Sequence, residues 1–169
     1  MEQNIDHKIE FKNKLINLYN NNRLKILCFF IIFIIILSLL SYFKINNQNK
    51  NSLISEKYIQ AGLLLTSKKT DQSINLYDEI ILSKNKFYST LALNIILEKN
   101  LISDKDKILN YFKILEEIEN SKEKIDLIIF KKALYLIKNN DAKEGKNLLK
   151  YLIDNKSKLK FLAEEAIGK

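Results

Sequence analysis

The chain reads as an all-α protein in which a single N-terminal transmembrane helix is followed by a solenoid of helical hairpins. Three observations lead there. Ile26 to Phe43 is an uncharged run of 18 residues bracketed by Lys25 and Lys44. The chain has no proline and only three glycines, Gly62, Gly145 and Gly168, too few turn-formers for a β-sandwich or barrel. From Leu53 onward, apolar residues recur at helical spacing in seven segments.

Residues 1–25 form a basic tail. Ile5, Ile9, Ile16 and Tyr19 fall near one helical face, with Phe11, Leu15 and Leu18 beside them. Lys8, Lys12 and Lys14 could then reach anionic headgroups while the apolar face rests on lipid. Residues 26–43 form the span. Fourteen of them are Ile, Leu or Phe, which sum to roughly −4 to −8 kcal/mol on the insertion scale. At ~1.5 Å rise per residue the run covers roughly 27 Å, close to the ~30 Å of hydrocarbon it must cross. A soluble core helix would carry a polar stripe, whereas only Ser38 and Ser41 interrupt this run. No small-x-small cleavage site follows, so an uncleaved anchor is expected.

Charge sets the expected orientation. The 15 residues before the span hold Lys12, Lys14, Arg23 and Lys25 without an acid, and the 15 after it hold Lys44, Lys50 and Lys57 against Glu56. The positive excess places the N-terminus in the cytoplasm and the C-terminal domain outside. Cys28 lies inside the span, so the domain can form no internal disulfide and has no thiol to misoxidise.

Residues 44–52 (KINNQNKNS) are polar and read as a spacer. Beyond it, helices are predicted at 53–68, 72–83, 87–99, 104–119, 123–139, 141–154 and 157–167 within a domain of residues 53–169. Thr70-Asp71, Ser103-Asp104 and Asn140-Asp141 are expected N-caps, since short side-chain oxygens satisfy free backbone amides. The short connections force neighbouring helices to run antiparallel.

An internal repeat underlies the hairpins. Residues 58–81 (YIQAGLLLTSKKTDQSINLYDEII) align without gaps on 130–153 (FKKALYLIKNNDAKEGKNLLKYLI). Tyr58 meets Phe130, Ala61 meets Ala133, Ser73 meets Gly145, and Leu76 meets Leu148. In both copies a small residue on the first helix precedes a small one on the second by the same interval. Two helices approach closely only where both side chains are small, so Ala61, Ser73, Ala92, Ala133 and Gly145 are assigned to helix crossings. Ala92 starts a less regular middle copy, with extra residues around Ile102 to Lys107. The array is therefore tetratricopeptide-like.

The composition excludes several chemistries. His7 and Cys28 both precede the domain, which cannot build a Ser–His or Cys–His nucleophile or a usual zinc site. No Gly-rich phosphate loop occurs. Asp78-Glu79, Glu116-Glu117-Glu119 and Glu164-Glu165 lie among lysines on helical faces, where solvated ion pairing is their ordinary role. No catalytic residue, cofactor, metal or small-molecule substrate is expected. The chain after the span carries 23 Lys against 17 acids but no Arg, and Arg is the preferred bidentate reader of bases and phosphates. Nucleic-acid binding is not expected.

The layout resembles the membrane-anchored tetratricopeptide family of ancillary Sec translocon subunits, whose repeat domain is shared with a periplasmic cell-division coordinator. The resemblance rests on the tail IEFKNKLINLYNNNRLK, the span, the polar spacer, SEKYIQAGLLL and KFYSTLALNIILEKN. It implies a non-enzymatic adaptor in a bacterial inner membrane, its domain in the periplasm, binding the translocon or a periplasmic chaperone. A self-associating scaffold or envelope coordinator is the alternative. Solenoid grooves are lined by the first helix of each hairpin. The candidate groove residues are therefore Tyr58, Gln60, Ser89, Leu93, Lys131 and Tyr135.

Overall fold

The computed structural model describes the backbone of residues 3–168 and the side chains of Lys14, 22–25, 27–42, 46 and 48–168. Seven α-helices follow in order: α1 (Gln3–Thr66), α2 (Thr70–Leu82), α3 (Lys86–Glu98), α4 (Lys105–Ile118), α5 (Lys122–Lys138), α6 (Ala142–Asp154) and α7 (Lys160–Gly168). Among the described residues there is no strand. The chain divides into two units, Met1–Asn49 and Lys50–Lys169.

The first unit is helical from Gln3 onward. Its Asn22–Tyr42 stretch, 21 residues of mean hydropathy 2.9, is long and apolar enough to cross a membrane, and none of that window is buried against protein. Phe29 stacks on Phe33 one turn along, ring centroids 6.5 Å apart. The apolar face read over residues 5–24 depends on side chains that, Lys14 and residues 22–24 aside, lie outside the described residues. The stretch expected as a polar spacer, 44–52, is helical throughout. Lys, Gln and Asn each cost no more than ~0.7 kcal/mol in a helix. With neither proline nor glycine present, prolonging an existing helix is easier than breaking it and nucleating another.

In the second unit the helices fall within about a turn of their predicted positions and form two layers. One layer holds the end of α1 with α3, α5 and α7. Tyr58 packs on Tyr88 at 5.7 Å between ring centroids, Lys131 Nζ donates to Asn94 Oδ1 at 2.8 Å, and Leu162 and Ala166 of α7 face Phe130, Leu134 and Ile137 of α5. The other layer holds α2, α4 and α6. Tyr111 Oη donates to Asp78 Oδ1 at 2.7 Å, Lys107 Nζ donates to Asp78 Oδ2 at 3.1 Å, and Lys105 Nζ reaches Asp141 Oδ2, just before α6, at 2.7 Å. Burial first, and then this bond to Asp78, push the Tyr111 phenol far above its ordinary value.

The small residues sit where the layers meet. Ala61, Ala92, Ala133 and Ser73 are fully buried, and Gly145 is buried too. Ser73 Oγ donates to the Ala61 carbonyl at 2.8 Å, across 12 positions of chain. In the other copy, a Cβ added to Gly145 would stand 2.7 Å from the Ala133 carbonyl oxygen. Both crossings bring the second helix against the same backbone carbonyl of the first.

The turns are built without glycine. Lys68, Lys84, Asn100, Asn140 and Lys156 adopt φ between 48° and 64°. After α1, α3, α5 and α6 the next amide closes a Schellman bond: Lys69 to Leu64, Leu101 to Ile96, Asp141 to Leu136 and Ser157 to Leu152, at 2.9 to 3.0 Å. Lys68 and Asn140 correspond under the internal repeat, as do Lys84 and Lys156. The longer α3–α4 connection, from Lys99 to Asp104, holds the extra residues of the middle copy.

Of the expected caps, Asp104 accepts the Lys107 amide at 3.1 Å. Of the other two, Asn140-Asp141 falls where expected and Thr70-Asp71 is corrected. Lys69 is the N-cap of α2 and Asp141 that of α6, neither with a side-chain cap bond, because the Schellman closure already fixes the backbone entering each helix. Asn85 makes a cap that the sequence pattern did not reveal, accepting from Tyr88 N at 3.0 Å.

The core forms two clusters. The larger gathers Tyr77, Ile80, Ile81, Leu93, Ile96, Ile108, Tyr111, Phe112 and Leu115 with their neighbours from α1 to α5. The smaller holds Ala133, Leu149, Leu152 and Ala163, from α5, α6 and α7.

Candidate protein-binding cleft

Two adjoining cavities lie between α3 and α5. One, of about 310 Å³, is lined by Asn94, Leu97, Glu98, Asn100, Lys131, Leu134, Tyr135, Lys138 and Asn139. The other, of about 210 Å³, has Leu93, Phe112, Leu115, Leu127 and Ile128 as apolar walls and Glu119, Lys124 and Lys131 among its polar lining. Asn94 and Lys131 line both, so the two cavities read as one cleft.

Helical periodicity places the α5 wall. Lys131, Leu134, Tyr135 and Lys138 fall at i, i+3, i+4 and i+7, one face of the helix. Tyr135 rests its ring on Phe112, centroids 6.0 Å apart, and burial raises its phenol pKa. On α3, Asn94 and Leu97 point to the same side, with Asn100 in the turn beyond.

The electrostatics of this wall differ from those of the rest of the unit. Lys57, Lys84, Lys105, Lys107, Lys132, Lys158 and Lys160 each pair with a carboxylate on another helix or turn, or one turn away, at 2.6 to 3.7 Å. Glu119 sits between Lys86 and Lys124 at 3.9 and 3.5 Å. The acidic clusters of the sequence are thus held by lysines. Lys131 and Lys138 instead donate to neutral amide oxygens, Lys131 to Asn94 Oδ1 at 2.8 Å and Lys138 to Asn100 Oδ1 at 3.2 Å. Burial pulls the Lys131 pKa below 10.5. The nearby Glu98 is within 3.0 Å of Lys99.

The six candidate groove residues divide. Leu93, Lys131 and Tyr135 come together at the cleft. Tyr58 is half-buried in an aromatic group with Tyr77 and Tyr88, and Gln60 is exposed on α1 away from the cleft lining. Ser89 presents nothing to a partner: it is fully buried and its hydroxyl donates to the Ile80 carbonyl at 3.0 Å. A small polar residue in a first helix is here an internal strut. Asn94 and Lys138 were missed, because a lone polar residue beside an apolar run looks like the ordinary solvated side of an amphipathic helix.

Among the described residues, no group of three His, Cys, Asp or Glu side chains is placed to share a metal ion. Comparison with protein-family models, curated proteins and solved structures returns no match to this chain.

Proposed function

We propose that this protein is a membrane-anchored, non-enzymatic adaptor that holds a protein partner in the α3–α5 cleft. The single observation carrying the reading is that cleft: apolar walls with a polar, lysine-bearing rim, set on paired helices close in chain to an apolar segment of spanning length. The matching crossings at Ala61–Ser73 and Ala133–Gly145, with the left-handed turns at equivalent positions, support a tetratricopeptide-like array. The basic flank before Ile26 supports a cytoplasmic N-terminus, which puts the domain on the periplasmic side of a bacterial inner membrane. The resemblance of layout supports the translocon or a periplasmic chaperone as partner. Tethering supplies effective concentration, so modest affinity suffices.

The test is site-specific photocrosslinking of the full chain in native membranes. A crosslinking residue at Thr90 or Leu134, on the cleft, should capture Sec subunits or periplasmic chaperones, and one at Lys150 on α6 should not. Capture of second copies of this chain alone points to a self-associating scaffold. Recovery of division or cell-wall proteins points to an envelope coordinator. Equal labelling at Lys150 and Leu134 removes the cleft from the reading.

A further inference from the structure

Lys131 and Lys138 stand two helical turns apart on one face of α5, so their Cα atoms are roughly 10 Å apart. Each is held across the cleft by an asparagine: Asn94 on α3 for Lys131, and Asn100 after α3 for Lys138. An amide oxygen orients an ammonium without neutralising it. Among the described residues neither lysine has a carboxylate partner, whereas most interhelical lysines of the unit do. Between them lie Leu134 and Tyr135, and beside them Leu97. The wall thus alternates positive, apolar, positive along one line.

We propose that the cleft binds an acidic, extended segment of a partner protein, two of whose carboxylates replace water at Lys131 and Lys138 while an apolar side chain between them packs on Leu134 and Tyr135. The inference rests on the adaptor reading and names its ligand class. An extended chain in the polyproline-II conformation advances ~3.1 Å per residue with three residues per turn, so carboxylates three positions apart share one face and match the lysine spacing. The two intervening side chains splay to either side of that face, which lets one of them pack on Leu134 and Tyr135. Ammonium groups prepositioned by amides lose little freedom on pairing, the condition under which a charge pair contributes to binding rather than breaking even. A nucleic acid would also meet the two charges. It is disfavoured by the apolar strip between the lysines and by the lack of a guanidinium in the unit.

The probe is a fluorescein-labelled twelve-residue peptide with glutamates at every third position and leucine and serine between. Binding is read by anisotropy on the full chain in detergent micelles, with a glutamine-for-glutamate peptide as control. The acidic peptide should bind and weaken with added salt, and the control peptide should not bind. Lys131→Gln with Lys138→Gln keeps a donor for each asparagine and should weaken binding about tenfold, as two partly exposed ion pairs would. Lys143→Gln with Lys150→Gln, on α6, should leave it unchanged. Equal loss in both double variants, equal binding of the control peptide, or displacement by an unstructured oligonucleotide at matched charge overturns the proposal. If crosslinks from Leu134 still capture proteins while the acidic peptide does not bind, the ligand class is wrong and the adaptor reading stands. If neither occurs, both fall.

Discussion

Gly145 and Ser73 occupy equivalent positions yet tolerate change differently. At Gly145 an added methyl would lie 2.7 Å from the Ala133 carbonyl and 3.2 Å from Ile137 N, both backbone atoms that cannot swing away. Alanine gains about 1 kcal/mol of helix propensity over glycine, but forcing two helices apart costs roughly 1–3 kcal/mol. Gly145→Ala is therefore expected to lower the melting temperature, and an unchanged or higher value would show that the helices are free to separate. Ser73→Ala should cost less, about 1 kcal/mol, because it removes one buried hydrogen bond and leaves space rather than a clash. Ala61→Leu and Ala133→Leu should each destabilise by roughly 1–3 kcal/mol through overpacking. These positions were legible from the sequence because small residues repeated at one interval mark the places where two helices touch. Ser89 was misread for the converse reason: its size fits an inner strut and its polarity fits a surface, and only the carbonyls of Ile80 and Ile81 decide between them.

Apart from the helix start expected at Leu53, helix ends were legible to about a turn, and the turns themselves were not. Sequence reasoning looks for glycine at a left-handed C′ position, and here lysine or asparagine fills all five described ones. A lysine in this conformation carries a strain of about 1–2 kcal/mol, partly offset in the exchange by the backbone freedom glycine loses on folding. Lys68→Gly, Lys84→Gly and Lys156→Gly should each stabilise by a few tenths to about 1 kcal/mol, read as a higher denaturant midpoint with unchanged slope. Asn140→Gly should gain less, since asparagine tolerates the conformation.

The connections into α5 and α6 also carry the acid sensitivity. Glu123 is held down from 4.5 to about 2, chiefly by its own backbone amide and then by Lys158 and Ser121. The Asn120 amide depresses Glu119, and Lys105 depresses Asp141. Each has a folded pKa below its unfolded one. Its contribution is therefore complete above the unfolded value and disappears as pH falls through the folded value. Stability should decline from about pH 4.5 toward pH 2, and Glu123→Gln should flatten that decline in acid-titrated melting curves.

At the scale of the chain, the apolar segment and the all-helical character were read from composition, which local physics nearly dictates. The helical course of residues 44–52 was not, because a stretch with eight polar residues out of nine specifies little by itself and takes its conformation from what precedes it. Orientation is the expectation of largest consequence. A reporter active only outside the cytoplasm, fused after Lys169, should be active in intact cells, and fluorescence from a cytoplasm-only reporter at that position would reverse the topology. Lys131 and Tyr135 were candidates because they lie on the first helix of a hairpin. Their pairing with α3 was not legible, since no local pattern joins Asn94 to a lysine on another helix.

The division of the core into a large and a small cluster has a dynamic consequence. The four residues of the small cluster include two alanines, so opening α6 and α7 exposes far less apolar surface than opening α2 to α4. Partial unfolding should then begin at the C-terminal end as a separate cooperative step. Amide exchange in α6 and α7 should outpace that of α3 and α4, and uniform protection across them would show a single cooperative unit. One wall of the cleft, α5, belongs to both clusters, with Ile128 in the larger and Ala133 in the smaller. If α6 and α7 open in this way, their breathing should reach the cleft through α5, and a bound segment should slow exchange in helices it never touches.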